Sequence, residues 1–309
     1  MTDAATPDTP LDAPPPARID SPAVRVMKEF VGDPVAVLGL AMFVLAALVA
    51  ILAPWLAPQN PYDLAQLSIM DGGLPPGEES FGTGMTYWLG TDTQGRDMVS
   101  AIMYGLRISL FVASVSLALA ITIGTVVGVT AAYFGGRVDS VIMRIVDLQL
   151  SFPAILIALI LLALLGRGVD KVVLALVIVQ WAYYARTVRS SAIVERRKEY
   201  IDAARCLAFS DRRIMFRHLL PNCVPPLIVV ATVQIAQAIA LEATLSFLGV
   251  GVPITEPSLG LLIANGYDYL LSGRYWISIF PGIALVLTII AINLVGDRLR
   301  DVLNPRLDT

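Results

Sequence analysis

The chain has 309 residues, of which 56% are apolar and 15% are charged, and its formal net charge is −3. A soluble domain usually has about 45–50% apolar and about 25% charged residues, so these charges are too few to cover a water-facing surface. The presence of only two cysteines excludes a disulfide-stapled secreted scaffold, and the small negative charge argues against a nucleic-acid partner.

The N-terminal residues 1–22 differ from the rest of the chain. They contain six prolines and four aspartates, and they lack a basic start followed by an apolar run. Such a segment buries too little apolar surface to fold by itself, so we expect a disordered cytoplasmic tail and not a signal peptide. The next stretch, 23–57, is predicted to carry the first membrane helix, and 58–105 to form a long loop outside the membrane.

Six apolar runs account for most of the remaining chain. A helix needs about 20 mostly apolar residues to cross the hydrocarbon core of a bilayer. The runs lie at about 35–56, 106–134, 141–165, 169–186, 224–250 and 276–296. Their number, with so little charge between them, favours an all-α membrane protein with six transmembrane helices over a large soluble helical core.

The distribution of basic residues predicts the orientation of these helices. With the N-terminus inside, 17 of the 22 Lys and Arg residues fall in inside segments. Because cytoplasmic loops are enriched in Lys and Arg, both termini are predicted to be cytoplasmic, including a C-terminal tail over 298–309. An inside loop over about 187–223 carries the largest share of these basic residues. The lipid bilayer is predicted to surround the helices.

This inside loop is predicted to contain two short helices. Its first helix has an apolar stripe at helical spacing, formed by Tyr200, Ala203, Ala204, Leu207 and Ala208. A second helix is predicted to begin after a Ser210 cap and to end at Pro221. The stripe consists mostly of alanine, so another protein surface can approach it closely. A basic loop held against anionic lipid is the alternative, and spacing alone does not separate the two.

The fifth apolar run contains polar residues at membrane depth. Gln234, Gln237 and Thr244 lie on one side of the predicted helix, where amides and a hydroxyl can bind a peptide backbone without a fixed charge. Glu242 points to another side. A carboxyl group at this depth is a functional candidate by default, although contact with a neighbouring helix is the interpretation that we favour for it.

The chain has few residues suited to catalysis. Its single histidine, His218, excludes a two-histidine metal site, and neither cysteine belongs to a thiolate cage. None of the three lysines follows a glycine, so the phosphate-binding loop of P-loop ATPases is absent. We therefore expect no metal, no cofactor and no enzymatic activity in this chain. A membrane-embedded hydrolase has little support, whereas a passive channel remains an alternative on composition.

The inside loop resembles the EAA loop of the membrane subunits of ABC importers. Asp202-Ala203-Ala204, then Ala208, then Leu220-Pro221 match that pattern in order and spacing. Asp202 replaces the family's glutamate, Ala208 its glycine and His218 an aliphatic residue. The change at Ala208 removes a residue that adopts positive φ freely, so the resemblance leaves a sharp turn at this position in question.

Several other segments narrow the resemblance to the second permease of dipeptide, oligopeptide and nickel importers. They are Leu89–Asp92, Gly95–Asp97, Gly105–Leu110, Phe152-Pro153, Leu245–Gly249 and Asn293–Asp297. The resemblance implies a six-helix type I permease with its core over 106–297, located in the inner membrane as a multi-pass protein and importing peptides or a related solute.

The resemblance also implies a set of partners and the roles of particular residues. The partners are a homologous second permease, two cytoplasmic ATPases that bind ATP and Mg, and a solute-binding protein outside. The EAA-like helix would dock into an ATPase through Tyr200, Asp202, Ala203, Ala204, Leu207, Ala208, Leu220 and Pro221. Gln234, Gln237, Thr244 and Glu242 are the candidates for the translocation path.

Overall fold

The computed structural model describes residues 22–253 and 255–303, and this part of the chain is helical with two isolated β-bridges, Glu79–Thr86 and Thr91–Asp97. The helices are α1 (Pro22–Val31), α2 (Pro34–Leu56), α3 (Met98–Phe134), α4 (Gly136–Leu150), α5 (Ala154–Leu165), α6 (Val169–Glu195), α7 (Glu199–Cys206), α8 (Asp211–Arg213), α9 (Val224–Phe247), α10 (Leu259–Tyr267) and α11 (Trp276–Leu303). Between α8 and α9 lie a π-helical turn, Ile214–Leu219, and a 3-10 turn, Leu220–Cys223. The predicted N-terminal tail lies outside the described residues except for Pro22, which begins α1.

Five helical stretches are long and apolar enough to cross a membrane. They are Pro34–Leu56, Met98–Phe134, Val169–Glu195, Asp211–Phe247 and Trp276–Leu303. The all-α membrane fold is thus confirmed, but the predicted run 141–165 is not one straight helix. It is divided into α4 and α5, which are bent by 89°. Pro153 lies at the break, where it has no N–H to donate and disfavours helical backbone at the preceding residue.

The helices extend beyond the apolar runs at several ends. α3 begins at Met98, well before the predicted start at 106, and α6 continues to Glu195 instead of ending near 186. α11 runs to Leu303, so residues 298–303 of the predicted tail are helical, and residues 304–309 lie outside the described part. Hydropathy detects only the lipid-compatible part of a helix, because backbone hydrogen bonding continues into polar surroundings.

Close contact between α3 and α6 forms the centre of the bundle. A Cβ atom added to Gly124 would collide with the carbonyl oxygen of Trp181, and one added to Gly128 with that of Ala185. Small residues at this spacing let two membrane helices approach until their backbones touch. α9 packs against both helices, and α2 and α11 also contact α3.

The long loop between α2 and α3 is held together by buried acidic residues. Asp71 accepts hydrogen bonds from Ser80 Oγ at 2.7 Å and from Tyr87 Oη at 3.1 Å. Asp92 forms a buried ion pair with Arg96 at 2.9 Å. Burial raises the pKa of the Tyr87 hydroxyl, and the neighbouring Asp71 contributes in the same direction. The family-like segment in this loop therefore has a structural role.

One further contact lies within this loop, and another connects the loop to α11. Gly95 has φ +77, and a Cβ atom there would collide with the carbonyl oxygen of Ser68. Trp276, the first residue of α11, donates from its indole nitrogen to the carbonyl oxygen of Thr91 at 3.0 Å. The glycine is required by its backbone conformation and by the close approach of the chain.

Candidate functional site

Polar residues of α6 and α9 line a half-open groove of about 260 Å³. The predicted residues Gln234, Gln237 and Thr244 all lie along it, so the structure brings these three together. Gln180 and Tyr183 of α6 complete its polar part, and the remaining lining is Ala154, Val179, Ala240 and Leu241. No charged side chain is among the described residues that line this groove.

The polar residues of the groove fall into a buried pair and an exposed group. Gln180 and Gln234 are almost fully buried, and Gln180 Nε2 donates to the backbone oxygen of Gln234 at 3.1 Å. Gln237, Thr244 and Tyr183 are exposed at the surface of the chain. Gln180 was missed by sequence analysis, although it is the single amide in the fourth apolar run.

Glu242 lies outside this groove. Its side chain has 0% exposure and accepts hydrogen bonds from Ser109 Oγ of α3 and from Ser246 Oγ of α9, both at 2.8 Å. The carboxyl group therefore connects two helices inside the bundle. The structure separates Glu242 from the other three residues proposed for the path.

The structure confirms a helix, α7, in the inside loop. Four residues of the predicted stripe, Tyr200, Ala203, Leu207 and Ala208, are exposed, whereas Ala204 is buried. Ala204 has 4% exposure and lies in a buried cluster with Ile201 and Ile214 of the same chain. The prediction that Ala204 belongs to an outward stripe is therefore wrong, because the neighbouring π-helical turn covers this side of α7. Tyr200 and Leu207 are exposed.

The remaining predicted contact residues of this segment lie at its surface to different degrees. Asp202 and Ala203 are exposed, and Asp202 forms an exposed ion pair with Arg205 at 3.1 Å. Leu220 is half-buried, whereas Pro221 is exposed beside Arg217. Four of the predicted contact residues, Tyr200, Asp202, Ala203 and Leu207, are therefore exposed on α7 or directly after it, and we refer to them as the α7 face.

A sharp turn follows α7 even though glycine is absent there. Ala208 has φ +54, the only positive φ of a non-glycine residue in the described ranges. The Ala208 N–H donates to the carbonyl oxygen of Arg205, and the Phe209 N–H to that of Ala204. The turn of the family pattern is therefore made by alanine in a conformation that usually costs an L-residue about 1–2 kcal/mol.

The segment after this turn differs from the predicted second helix. Ser210 precedes α8 but its side chain makes no capping hydrogen bond. Pro221 does not end the helix; the helical path continues through it from Asp211 to Phe247. The proline lies at the start of a 3-10 turn, where the backbone N–H that it lacks would have had no helical hydrogen-bond partner. The ring of His218 stacks on that of Phe209, with their centroids 5.5 Å apart. The histidine thus packs against a neighbour, as the aliphatic residue of the family pattern would.

Tyr200 connects the start of α7 to the elements beside it. Its hydroxyl donates to Glu195 Oε2 and accepts from Asn222 Nδ2, both at 2.9 Å. Burial and the Glu195 carboxylate raise the pKa of Tyr200 to about 12. The hydroxyl therefore stays protonated at physiological pH and holds α6, α7 and the 3-10 turn together.

Metal binding has no support in the described part of the chain, where no group of three or more His, Cys, Asp or Glu residues could hold an ion. The two described features of interest are an uncharged polar groove between membrane-spanning helices and a short helix presented beside them.

Family comparisons identify the chain more closely. Residues 120–309 match the model of binding-protein-dependent transport system inner membrane components, and residues 21–76 match the N-terminal transmembrane domain of oligopeptide transport permease C. The chain belongs to the family of binding-protein-dependent transport system inner membrane components. It is therefore a multi-pass inner membrane protein and a permease subunit of an ABC importer, not an enzyme, as the resemblance of its loops implied.

Individual relatives and a solved structure agree with this assignment. The chain is 42% identical over 270 residues, 87% of each chain, to a putative peptide transport system permease protein of Brucella suis. It is 35% identical, over 93% of each chain, to the di/tripeptide transport system permease protein DppC of Pseudomonas aeruginosa. A chain of the inward-facing MetNI methionine ABC transporter matches with a TM-score of 0.55 at 22% identity, covering 67% of this chain and 98% of that one, which shows a shared fold.

Proposed function

We propose that this permease subunit forms half of a translocation pathway for di- or oligopeptides. The observation that carries the proposal is the groove lined by Gln180, Gln234, Gln237 and Thr244. Amide and hydroxyl groups can bind a peptide backbone by hydrogen bonds, and the absence of charge from the described lining suits cargoes with different side chains. The relatives named as peptide permeases support the same cargo.

The proposed importer contains four kinds of component. A homologous second permease would supply the other half of the pathway, and a solute-binding protein would deliver cargo from outside. Two cytoplasmic ABC ATPases would bind ATP and Mg, because the sequence of this chain contains no phosphate-binding loop. The predicted orientation, with both termini in the cytoplasm, places α7 on the side where these ATPases would act.

The connection between α7 and the groove supports a mechanism for energy coupling. The α7 face would lie in a cleft of an ATPase, and closure of the ATPases on nucleotide binding would move α7. The turn at Ala208 joins α7 to the continuous helical path Asp211–Phe247, which carries Gln234, Gln237 and Thr244. A displacement of α7 would therefore tilt the helix that lines the groove and favour one of two states of access.

The test uses proteoliposomes that contain the complete complex with the solute-binding protein on the substrate side. Ala203→Trp enlarges the exposed α7 face without touching the buried Ala204, so docking to the ATPase should weaken by about ten- to a hundredfold, as overpacking costs about 1–3 kcal/mol. Dipeptide uptake and dipeptide-stimulated ATP hydrolysis should both fall. Ala203→Ser, which keeps the side chain small, is the matched control.

Two results would contradict the proposal. Failure of the wild-type complex to import any di- or oligopeptide would exclude peptides as the cargo. If Ala203→Trp shows wild-type uptake and ATP hydrolysis, the α7 face is not the coupling surface. That result would favour a loop that only contacts lipid.

A further inference from the structure

Three exposed arginines of α8 and the π-helical turn surround a cavity of about 440 Å³, which we call the basic pocket. Its lining is Ser210, Arg212, Arg213, Phe216, Arg217 and Pro221. Among the described residues, none of these arginines forms an ion pair, and Arg213 lies over the ring of Phe209 instead. The adjacent carboxylate of Asp211 accepts a hydrogen bond from Tyr133 at 2.6 Å. The pocket therefore has three positive charges that no carboxylate of the described chain neutralises.

An apolar groove begins close to the basic pocket. It has a volume of about 340 Å³ and lies between α2, α3, α9 and α11. Pro221 lines the pocket, whereas Val224 and Ile228 line the groove, and their spacing along one continuous helical path makes them neighbours on its surface. The lining side chains of the groove are apolar apart from Thr232, whose hydroxyl donates to the carbonyl oxygen of Val229 at 2.8 Å. The groove is therefore suited to a hydrocarbon chain.

The pocket and the groove lie at the same end of the helix bundle. Phe43 in the groove is about 14 Å from the start of α2, and Val295 is about 12 Å from the end of α11, at a rise of about 1.5 Å per residue. Arg217 precedes α9 at this same end. Since the hydrocarbon core of a bilayer is about 30 Å thick, the groove lies within one leaflet and the basic pocket at its polar boundary. The predicted orientation makes this the cytoplasmic leaflet.

We propose that the basic pocket and the apolar groove together bind one anionic phospholipid. Its phosphate group lies among Arg212, Arg213 and Arg217, and one acyl chain lies in the groove. Guanidinium groups bind phosphate oxygens by charge-assisted hydrogen bonds, and basic pockets beside membrane helices are suited to anionic headgroups. An acidic segment of a cytoplasmic ATPase could pair with the arginines, but it could not extend into a groove at membrane depth.

The experiment measures lipid binding to the complete complex after its lipids have been removed in a nonionic detergent. The complex is titrated with radiolabelled dioleoyl phosphatidylglycerol, which is anionic, or with dioleoyl phosphatidylcholine, which has the same acyl chains and no net charge. Bound lipid is separated from free lipid by gel filtration. The wild-type complex should have a tight site for phosphatidylglycerol that phosphatidylcholine does not fill.

Removal of charge from the pocket should weaken this site. Arg217→Gln should weaken phosphatidylglycerol binding by about fivefold, the contribution expected of one basic residue at a membrane surface. Combining it with Arg212→Gln and Arg213→Gln should weaken binding by about a hundredfold. Arg197→Gln is the matched control, because it removes the same charge from another exposed position of the inside loop. It should leave the affinity unchanged.

A second pair of variants tests the acyl chain. Ile228→Trp places a larger side chain in the groove at a residue with 37% exposure, so it should weaken phosphatidylglycerol binding while all arginines are retained. Ile290→Trp, at a residue of α11 with 42% exposure outside the groove lining, should bind as the wild type does. Arg217→Gln and Ile228→Trp also provide the test if the triple variant fails to assemble.

Several results would overturn the inference. Equal affinity for the two lipids, or wild-type affinity in Arg217→Gln, would show that the arginines do not bind a headgroup. Displacement of the lipid by excess inorganic phosphate, with wild-type affinity in Ile228→Trp, would indicate a site for free phosphate. Loss of the ATPases from the arginine variants with unchanged lipid binding would indicate an acidic protein surface. Because the measured quantity is lipid binding, failure to import dipeptides would contradict only the proposed function.

Discussion

Ser109 of α3 donates a hydrogen bond of 2.8 Å to Glu242 of α9, and the glutamate side chain has no exposed surface. The two residues are 133 positions apart in the chain. Ser246 donates to the other carboxyl oxygen from one turn along α9. This contact fixes the position of α9, the helix that carries the groove, against α3.

Ser109→Ala should destabilise the protein, because Glu242 would lose a hydrogen bond in a buried position. A hydrogen bond contributes about 0.5–1.5 kcal/mol, and a buried polar group left unpaired costs about 1–3 kcal/mol. Thermal unfolding of the purified protein in detergent measures the change. Ser116→Ala is the matched control on the same helix, since the Ser116 hydroxyl bonds to the backbone of Val112 within α3. Equal losses for the two variants would show that the contact between helices contributes nothing.

Ala208→Gly should stabilise the protein. Glycine adopts the positive φ of this turn without the steric cost of a Cβ atom, which is about 1–2 kcal/mol. The greater freedom of glycine in the unfolded chain offsets about 0.4–1 kcal/mol of that gain. The net increase in the free energy of unfolding should therefore be about 0.5–1 kcal/mol.

The control variant is expected to change the free energy of unfolding in the opposite direction. Ala203→Gly lies within α7, where glycine destabilises a helix by about 1 kcal/mol relative to alanine. Thermal unfolding of Ala203→Gly, Ala208→Gly and the wild type gives the order of their stabilities. A lower unfolding temperature for Ala208→Gly than for the wild type would contradict the strained turn.

Ala204→Trp and Ala203→Trp should separate folding from docking. Ala204 lies in the buried cluster with Ile201 and Ile214, so a large side chain there should overpack the protein by about 1–3 kcal/mol and reduce the yield of folded permease. Ala203 is exposed, so Ala203→Trp should give wild-type yield and unfolding temperature. Size-exclusion chromatography of the isolated permease measures the yield of folded protein. Equal yields of the two variants would contradict the burial of Ala204 and the exposure of Ala203.

The native cysteines allow a test of orientation. Cys206 is exposed on α7 and Cys223 is buried. If α7 is cytoplasmic, a membrane-impermeant maleimide should leave Cys206 unlabelled in intact cells and label it after permeabilisation. Met70→Cys, at a residue with 82% exposure in the loop between α2 and α3, should be labelled in intact cells. Labelling of Cys206 from outside would reverse the predicted topology.

The features that could be predicted from sequence are those determined by neighbouring residues. Apolar runs of membrane-spanning length identified the helices, and helical spacing placed Gln234, Gln237 and Thr244 along one groove. The short helix of the inside loop and the absence of a phosphate-binding loop were also evident. Each of these depends on local backbone periodicity or on the presence of a residue type, and both can be read from a single segment.

Contacts between distant segments decided the rest. Gln180 became part of the groove only because α6 packs beside α9. The sequence placed Glu242 on another side of its helix, but only the packing of α3 against α9 identified Ser109 as its partner. The face of α7 that contains Ala204 was turned inward by the π-helical turn that packs against it. A helical pattern identifies which residues share a side, but which side is buried depends on the helix that covers it. That neighbour is determined by the packing of the whole bundle.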